Sequence, residues 1–323
     1  MDTAYLSLDA AGRDRWIRNR RPDRLPVDPR RPYAFVEEAE LGPDGTLWST
    51  AVVFLTNGEC AFGCLMCDLW RQTLRRQAGP TPCSPQIAAV VPQPQRYRMV
   101  KLYNAGSFFD PAVINPSEYD AILAAVGGVR RVVVECHPAF LNRHFRDFAA
   151  RCRHTGVELE VAMGLETADP VALARLNKRM SVEDFESGVA AVRREGAFAR
   201  AFVLVRAPWQ SEADGRRWAL ESIRLAQAAG CDAVTMIPTR AGNGAMDRLL
   251  ETGEWAPPAL STVESLLAES LHVNSGRVFV DDWDLERLAT CRDCGPDRVG
   301  AIRMMNRTQR PVAPLACGSG CRP

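Results

Sequence analysis

What most constrains this chain is an alternation that begins at Thr50: a short β-branched apolar run, a loop of small or polar residues, then a longer amphipathic stretch. The apolar runs cover Ala51 to Leu55, Met99 to Tyr103, Arg131 to Glu135, Glu158 to Met163, Phe198 to Val205 and Ala233 to Ile237. Between them lie helix candidates at Pro116 to Val126, Leu141 to His154, Ser181 to Glu195 and Ser211 to Ala229, several opened by Ser, Asp or Pro at cap positions. Strand and helix alternating six times imply a parallel sheet with right-handed crossovers. No nucleotide fingerprint follows the first strand, which argues against a doubly wound dinucleotide fold. The expected class is therefore α/β, a partial (β/α)6 barrel, with functional residues on the loops leaving the C-terminal strand ends.

This barrel should occupy residues 49–250. The preceding segment, 1–48, is polar and carries eight arginines between Arg13 and Arg31, reading as a basic extension packed over the barrel or able to hold RNA phosphates. After Ile237 the pattern decays; 251–323 reads as an appended C-terminal extension with a helix near Ser261 to His272, a strand near Arg277 to Val280 and a cysteine-bearing tail. With Lys plus Arg at 40 against Asp plus Glu at 39, no global field steers the chain toward nucleic acid or membrane, so any nucleic-acid surface must be local. No run approaches the length of a membrane span and the N-terminus lacks a secretory layout, so a cytoplasmic protein is expected.

Eleven cysteines are many for a reducing compartment, where disulfides are rare and metal sites are not, and seven of them fall into two tight groups. The first group follows the first predicted strand, in Asn57-Gly58-Glu59-Cys60-Ala61-Phe62-Gly63-Cys64-Leu65-Met66-Cys67-Asp68. Three thiols on one short loop, with no fourth before Cys83, suit an iron-sulfur cubane that keeps one iron open to an outside ligand. Phe62 and Met66 would shield it, and Gly63 permits close backbone approach. The second group, Cys291 and Cys294 with Cys317 and Cys321, has the layout of a closed four-thiolate site for zinc or a second iron-sulfur cluster. Cys83, Cys136, Cys152 and Cys231 stand alone and read as small buried hydrophobes. His137 reads as a capping or packing residue rather than a proton shuttle.

The CxxxCxxC loop, its place after the first strand and the strand count that follows resemble the radical S-adenosylmethionine superfamily. The resemblance implies a partial (β/α)6 radical SAM barrel. Cys60, Cys64 and Cys67 would hold three irons of a 4Fe-4S cluster, and S-adenosylmethionine would chelate the fourth. The expected activity is reductive cleavage of that cofactor to a 5′-deoxyadenosyl radical, with electrons from a flavodoxin- or ferredoxin-type donor. Cofactor contacts are expected at the strand mouths, from Asn104, Gly106 and Ser107 after the second strand, Glu135 after the third, Glu166 after the fourth and Arg206 after the fifth. Within the superfamily, GSFFDP, ECHP, GLETADP, LNKRMSVEDF and LVRAPW resemble the branch containing archaeosine synthase and the elongator-type tRNA enzymes. A small-molecule or RNA substrate, such as a modified tRNA nucleoside, follows from that resemblance. A reading of another class stands beside it: a metal-dependent RNA-binding or scaffold protein whose cluster is structural.

Overall fold

The computed structural model describes residues 4–273 and 276–317. Eight strands among them form one sheet in sequence order: β1 (Ala34–Leu41), β2 (Leu47–Leu55), β3 (Met99–Asn104), β4 (Arg131–Glu135), β5 (Glu158–Glu166), β6 (Phe198–Val205), β7 (Ala233–Pro238) and β8 (Arg277–Val280). β1 runs antiparallel to β2, and every later neighbour is parallel. The six predicted strands are all present. Two more extend the sheet: the N-terminal extension supplies β1, and the strand near Arg277 pairs with β7 rather than standing apart.

The crossover helices form where their caps are written. Ser181 and Ser211 accept from Asp184 N and Asp214 N at the starts of Val182–Arg194 and Glu212–Ala228, and Asn142 opens Arg143–Thr155. Their apolar faces and the outward residues of the strands make the main core. Phe108, Phe109, Tyr119, Phe145 and Phe148 form an edge-to-face cluster in it, each buried phenylalanine contributing about 1.5–3 kcal/mol. Cys83, Cys136, Cys152 and Cys231 also lie in this core, as small hydrophobes.

Alternate residues point the other way, into the barrel. Lys101, Glu160 and Arg200 occupy inward positions of otherwise apolar strands and are buried. Arg200 donates to Glu160 at 2.6 Å and pairs with Glu40 of β1, while Lys101 bonds Glu40 at 2.7 Å. Arg131 adds a bond to Glu160 at 2.8 Å. Burial works to raise the Glu40 carboxyl, but Arg200 and Lys101 outweigh it and hold that group well below the usual carboxylate range. β1 thus supplies the acid that neutralises the barrel floor, which fixes why the extension joins the sheet. Phe54, Tyr103, Ala162 and Phe202 line the next level, beneath the mouth.

The basic extension packs over the barrel. Arg24 and Arg21 pair with Glu59, Arg13 donates to Ala174 O at 2.8 Å, and Arg20 lies over the Trp16 ring at 3.7 Å. Arg15, Arg18, Arg30 and Arg31 are exposed. No helix among the described residues is long and apolar enough to cross a membrane.

Candidate active site at the barrel mouth

The loop after β2 is tied down from four sides. Its base pairs with Leu74, Leu74 N donating to Asn57 O at 3.0 Å and Glu59 N to Leu74 O at 3.1 Å. Asn177 Nδ2 donates to Gly63 O at 2.9 Å, and Asn243 Nδ2 to Leu65 O at 2.8 Å and Cys67 O at 3.1 Å. Leu65 is buried against Tyr5, Trp16, Ile17, Met246 and Trp255, so the N-terminal helices clamp the loop from outside. Gly63 is required there, because a Cβ would meet Asp14 Oδ1 at 2.8 Å.

So held, Cys60, Cys64 and Cys67 face a cavity of about 1010 Å³ that fills the upper barrel. Asn104, Gly106, Ser107, Glu135 and Glu166 line the same cavity. Arg206 does not. Its guanidinium is held by Glu212 at 2.5 Å and Pro257 O at 2.9 Å, which bind the loop after β6 to the chain beyond it, so it is not brought to the mouth. Gly106 owes its size to packing: a Cβ would meet Val113 Cγ2 at 2.8 Å. Ser107 Oγ accepts from His137 N at 3.0 Å and joins the loops after β3 and β4.

Two groups stand out at the mouth. Asn104 Nδ2 donates to Gly106 O at 2.5 Å, but Asn104 Oδ1 is buried with no hydrogen-bond partner. Burial pushes the Glu135 carboxyl up to about 8, with the nearby Glu166 carboxylate adding to the rise, so Glu135 is largely protonated at neutral pH. Glu166 itself sits at a β-bulge with φ of 67° and bonds Lys178 Nζ at 2.5 Å. Gly164 makes room for that pair, since a Cβ there would lie 2.1 Å from Glu166 Oε1 and 2.5 Å from Lys178 Nζ.

Sequence reasoning did not single out Lys178, although it lies in the LNKRM segment. Burial opposes its charge, but the Glu166 carboxylate more than offsets this, and Lys178 remains a buried cation near the cysteine loop. Burial pushes the Cys64 thiol up to about 12, with Lys178 pulling the other way, and raises Cys60 and Cys67 as well. His137 caps and packs. Its Nδ1 accepts from Ala139 N at 3.1 Å, so Nε2 carries the proton toward Lys178 O at 3.1 Å, while the ring stacks on Phe62 at 4.1 Å. Burial lowers it to about 4, and Lys178 adds to the fall.

The residues present fit a cluster and a cofactor. Three sulfurs face one cavity, a buried amide oxygen lacks a donor, and a carboxyl whose protonated form burial favours lines the same space, which suits an ammonium and ribose hydroxyls. Among the described residues, the only cysteine group whose sulfurs all lie within 4.8 Å of one another is Cys291, Cys294 and Cys317, in the C-terminal extension. Cys321 lies outside the described residues.

The half barrel carries the three-cysteine loop at its mouth. The fold is shared with methylornithine synthase (PylB), at a TM-score of 0.51 and 11% identity over 98% of this chain and 82% of that one. In sequence, the chain is similar to the archaeosine synthase subunit beta of Methanosarcina acetivorans, 22% identical over 284 residues, 83% of this chain and 82% of the relative. It is also similar to the archaeosine synthase subunit beta of Thermococcus kodakarensis, 30% identical over 191 residues, 56% of this chain and 57% of the relative. No family model matches the chain.

Proposed function

We propose that this protein binds a 4Fe-4S cluster through Cys60, Cys64 and Cys67 and cleaves S-adenosylmethionine reductively, to abstract hydrogen from a modified tRNA nucleoside. The observation that carries the reading is that those three cysteines, Asn104 with its orphaned Oδ1 and the Glu135 carboxyl all line one large cavity. When bound, the cluster and cofactor supply an electron and a 5′-deoxyadenosyl radical. The chain's own residues do the rest. Asn104 Oδ1 would accept from the cofactor's ammonium, Glu135 would bond ribose hydroxyls, and Lys178, fixed by Glu166, would offer a cation to carboxylate or sulfide. Phe62, stacked on His137, and Met66 keep water from the cysteine loop.

The name shared by the two curated relatives supports a tRNA nucleoside as substrate and, through the word subunit, a partner chain. Electrons would come from a flavodoxin- or ferredoxin-type donor in a reducing, cytoplasmic compartment. Mouth residues Trp283, Arg240, Arg303 and Arg307 stand where the substrate would enter. The scaffold reading loses support from the extension, since Arg13, Arg20, Arg21 and Arg24 are engaged within the fold.

Anaerobic reconstitution tests the reading. The protein is expected to take up about four irons at the mouth and to release 5′-deoxyadenosine with dithionite, both lost on changing Cys60, Cys64 and Cys67 to Ala. Binding of a tRNA pool with a steep salt slope, and no deoxyadenosine under any reductant, would favour the structural cluster instead.

A further inference from the structure

The second cysteine group is not used by the chemistry at the mouth, and its geometry selects among metals. Cys291 Sγ and Cys317 Sγ are 3.9 Å apart, and the Cys294 sulfur lies within 4.8 Å of both. Thiolates on one tetrahedral zinc, with Zn–S of about 2.3 Å, stand about 3.8 Å apart. Thiolates on a cubane each bind a different iron and stand about 6 Å apart. The spacing matches a shared ion and is too tight for a cluster.

The surroundings suit a thiolate-bound cation. Cys294 caps the N-terminus of the helix Gly295–Thr308, where the helix dipole favours anionic sulfur. Arg298 Nε donates to Cys294 Sγ at 3.3 Å, and the same guanidinium pairs with the fully buried Glu264 and donates to Leu315 O at 2.8 Å. An N–H aimed at a metal-ligating sulfur, itself anchored by a buried carboxylate, is the outer support that metal sites use. The contact to Leu315 also brings the tail, with Cys317, onto the helix.

The geometry points to a structural zinc site with Cys291, Cys294 and Cys317 as ligands. Its place in the fold gives it a task. The helix it caps sends Arg303, Asn306 and Arg307 to the cavity and holds β8 by paired bonds from Asn306 to Val280 N and O, 2.9 and 2.8 Å. Zinc therefore staples the tail to the helix that forms one wall of the substrate cavity. The assignment stands whether or not the mouth cleaves S-adenosylmethionine.

Metal analysis of the full chain, purified anaerobically, tests it. One zinc per chain is expected beside the iron of the mouth, and C291S/C317S should lose the zinc while keeping that iron. Because the double variant can misfold, cobalt is also exchanged into the unaltered protein, where an intense thiolate-to-cobalt band with tetrahedral d–d bands is expected. A second four-iron complement at these cysteines, no metal at all, or a mass lower by two hydrogens from a Cys291–Cys317 disulfide overturns the proposal.

Discussion

The two cysteine groups of this chain look alike as text and are opposites in space. At the barrel mouth, Cys60, Cys64 and Cys67 face a large cavity, which is also lined by Glu135 and by Asn104, whose amide oxygen is left without a partner. In the C-terminal extension, Cys291, Cys294 and Cys317 close on one point, backed by an arginine whose charge is met by Glu264. The lesson is that coordination need separates reactive from structural sites. An open cavity with unmet polar groups leaves positions for exchangeable ligands, whereas converging sulfurs with a satisfied outer layer suit one shared, tightly held ion.

That contrast breaks first if the metals are not independent. Cys64→Ala should abolish iron at the mouth and leave zinc at one per chain, as read by metal analysis; loss of both together would mean the two groups are one folding unit. Next in size, Arg298→Met leaves Glu264 buried without its cation and should destabilise the chain by about 3–5 kcal/mol in urea melts, with zinc held more weakly and iron retained. Asn243→Ala should cost about 1–3 kcal/mol by orphaning Leu65 O and taking one of two donors from Cys67 O, which keeps Trp70 Nε1, and should lower iron occupancy without touching zinc.

Smaller effects sharpen the reading of the open side. Gly164→Ala would displace the Glu166–Lys178 pair, so S-adenosylmethionine affinity by calorimetry should fall while the melting temperature changes little. Glu135→Gln imitates the protonated acid. The folded chain holds the Glu135 proton up to about pH 8 and the unfolded chain releases it near 4.5, so this group stabilises below 4.5 and its benefit is lost as pH rises toward 8. Melts of the metal-free protein at both ends of that window should therefore show a smaller pH dependence in the variant, and an unchanged slope would remove Glu135 from the account.

Much of the fold was legible in advance because strand and helix periods are local. All six predicted strands and the four predicted crossover helices form, and the caps at Ser181 and Ser211 act as such. The strand near Arg277 was legible as a strand but not as part of the sheet, since pairing with β7 is a contact across more than forty residues. β1 was hidden, its sequence AFVEEAEL being too acidic to read as a buried strand. A signal existed: Lys101, Glu160 and Arg200 interrupt apolar strands at inward positions, and charges buried there call for an acid that Glu40 supplies.

The sequence alone determined the cysteine spacings, their position after the first barrel strand and the parallel order of the elements, because each depends on residues close along the chain. Only the tertiary structure decided that Arg206 turns away while Lys178 turns in, that Arg21 and Arg24 of the arginine-rich extension brace the cysteine loop through Glu59, and that the tail sulfurs meet at a single point. Those outcomes depend on which distant groups compete for each charge and each unsatisfied polar atom once water is excluded, and spacing along the chain carries no record of that competition.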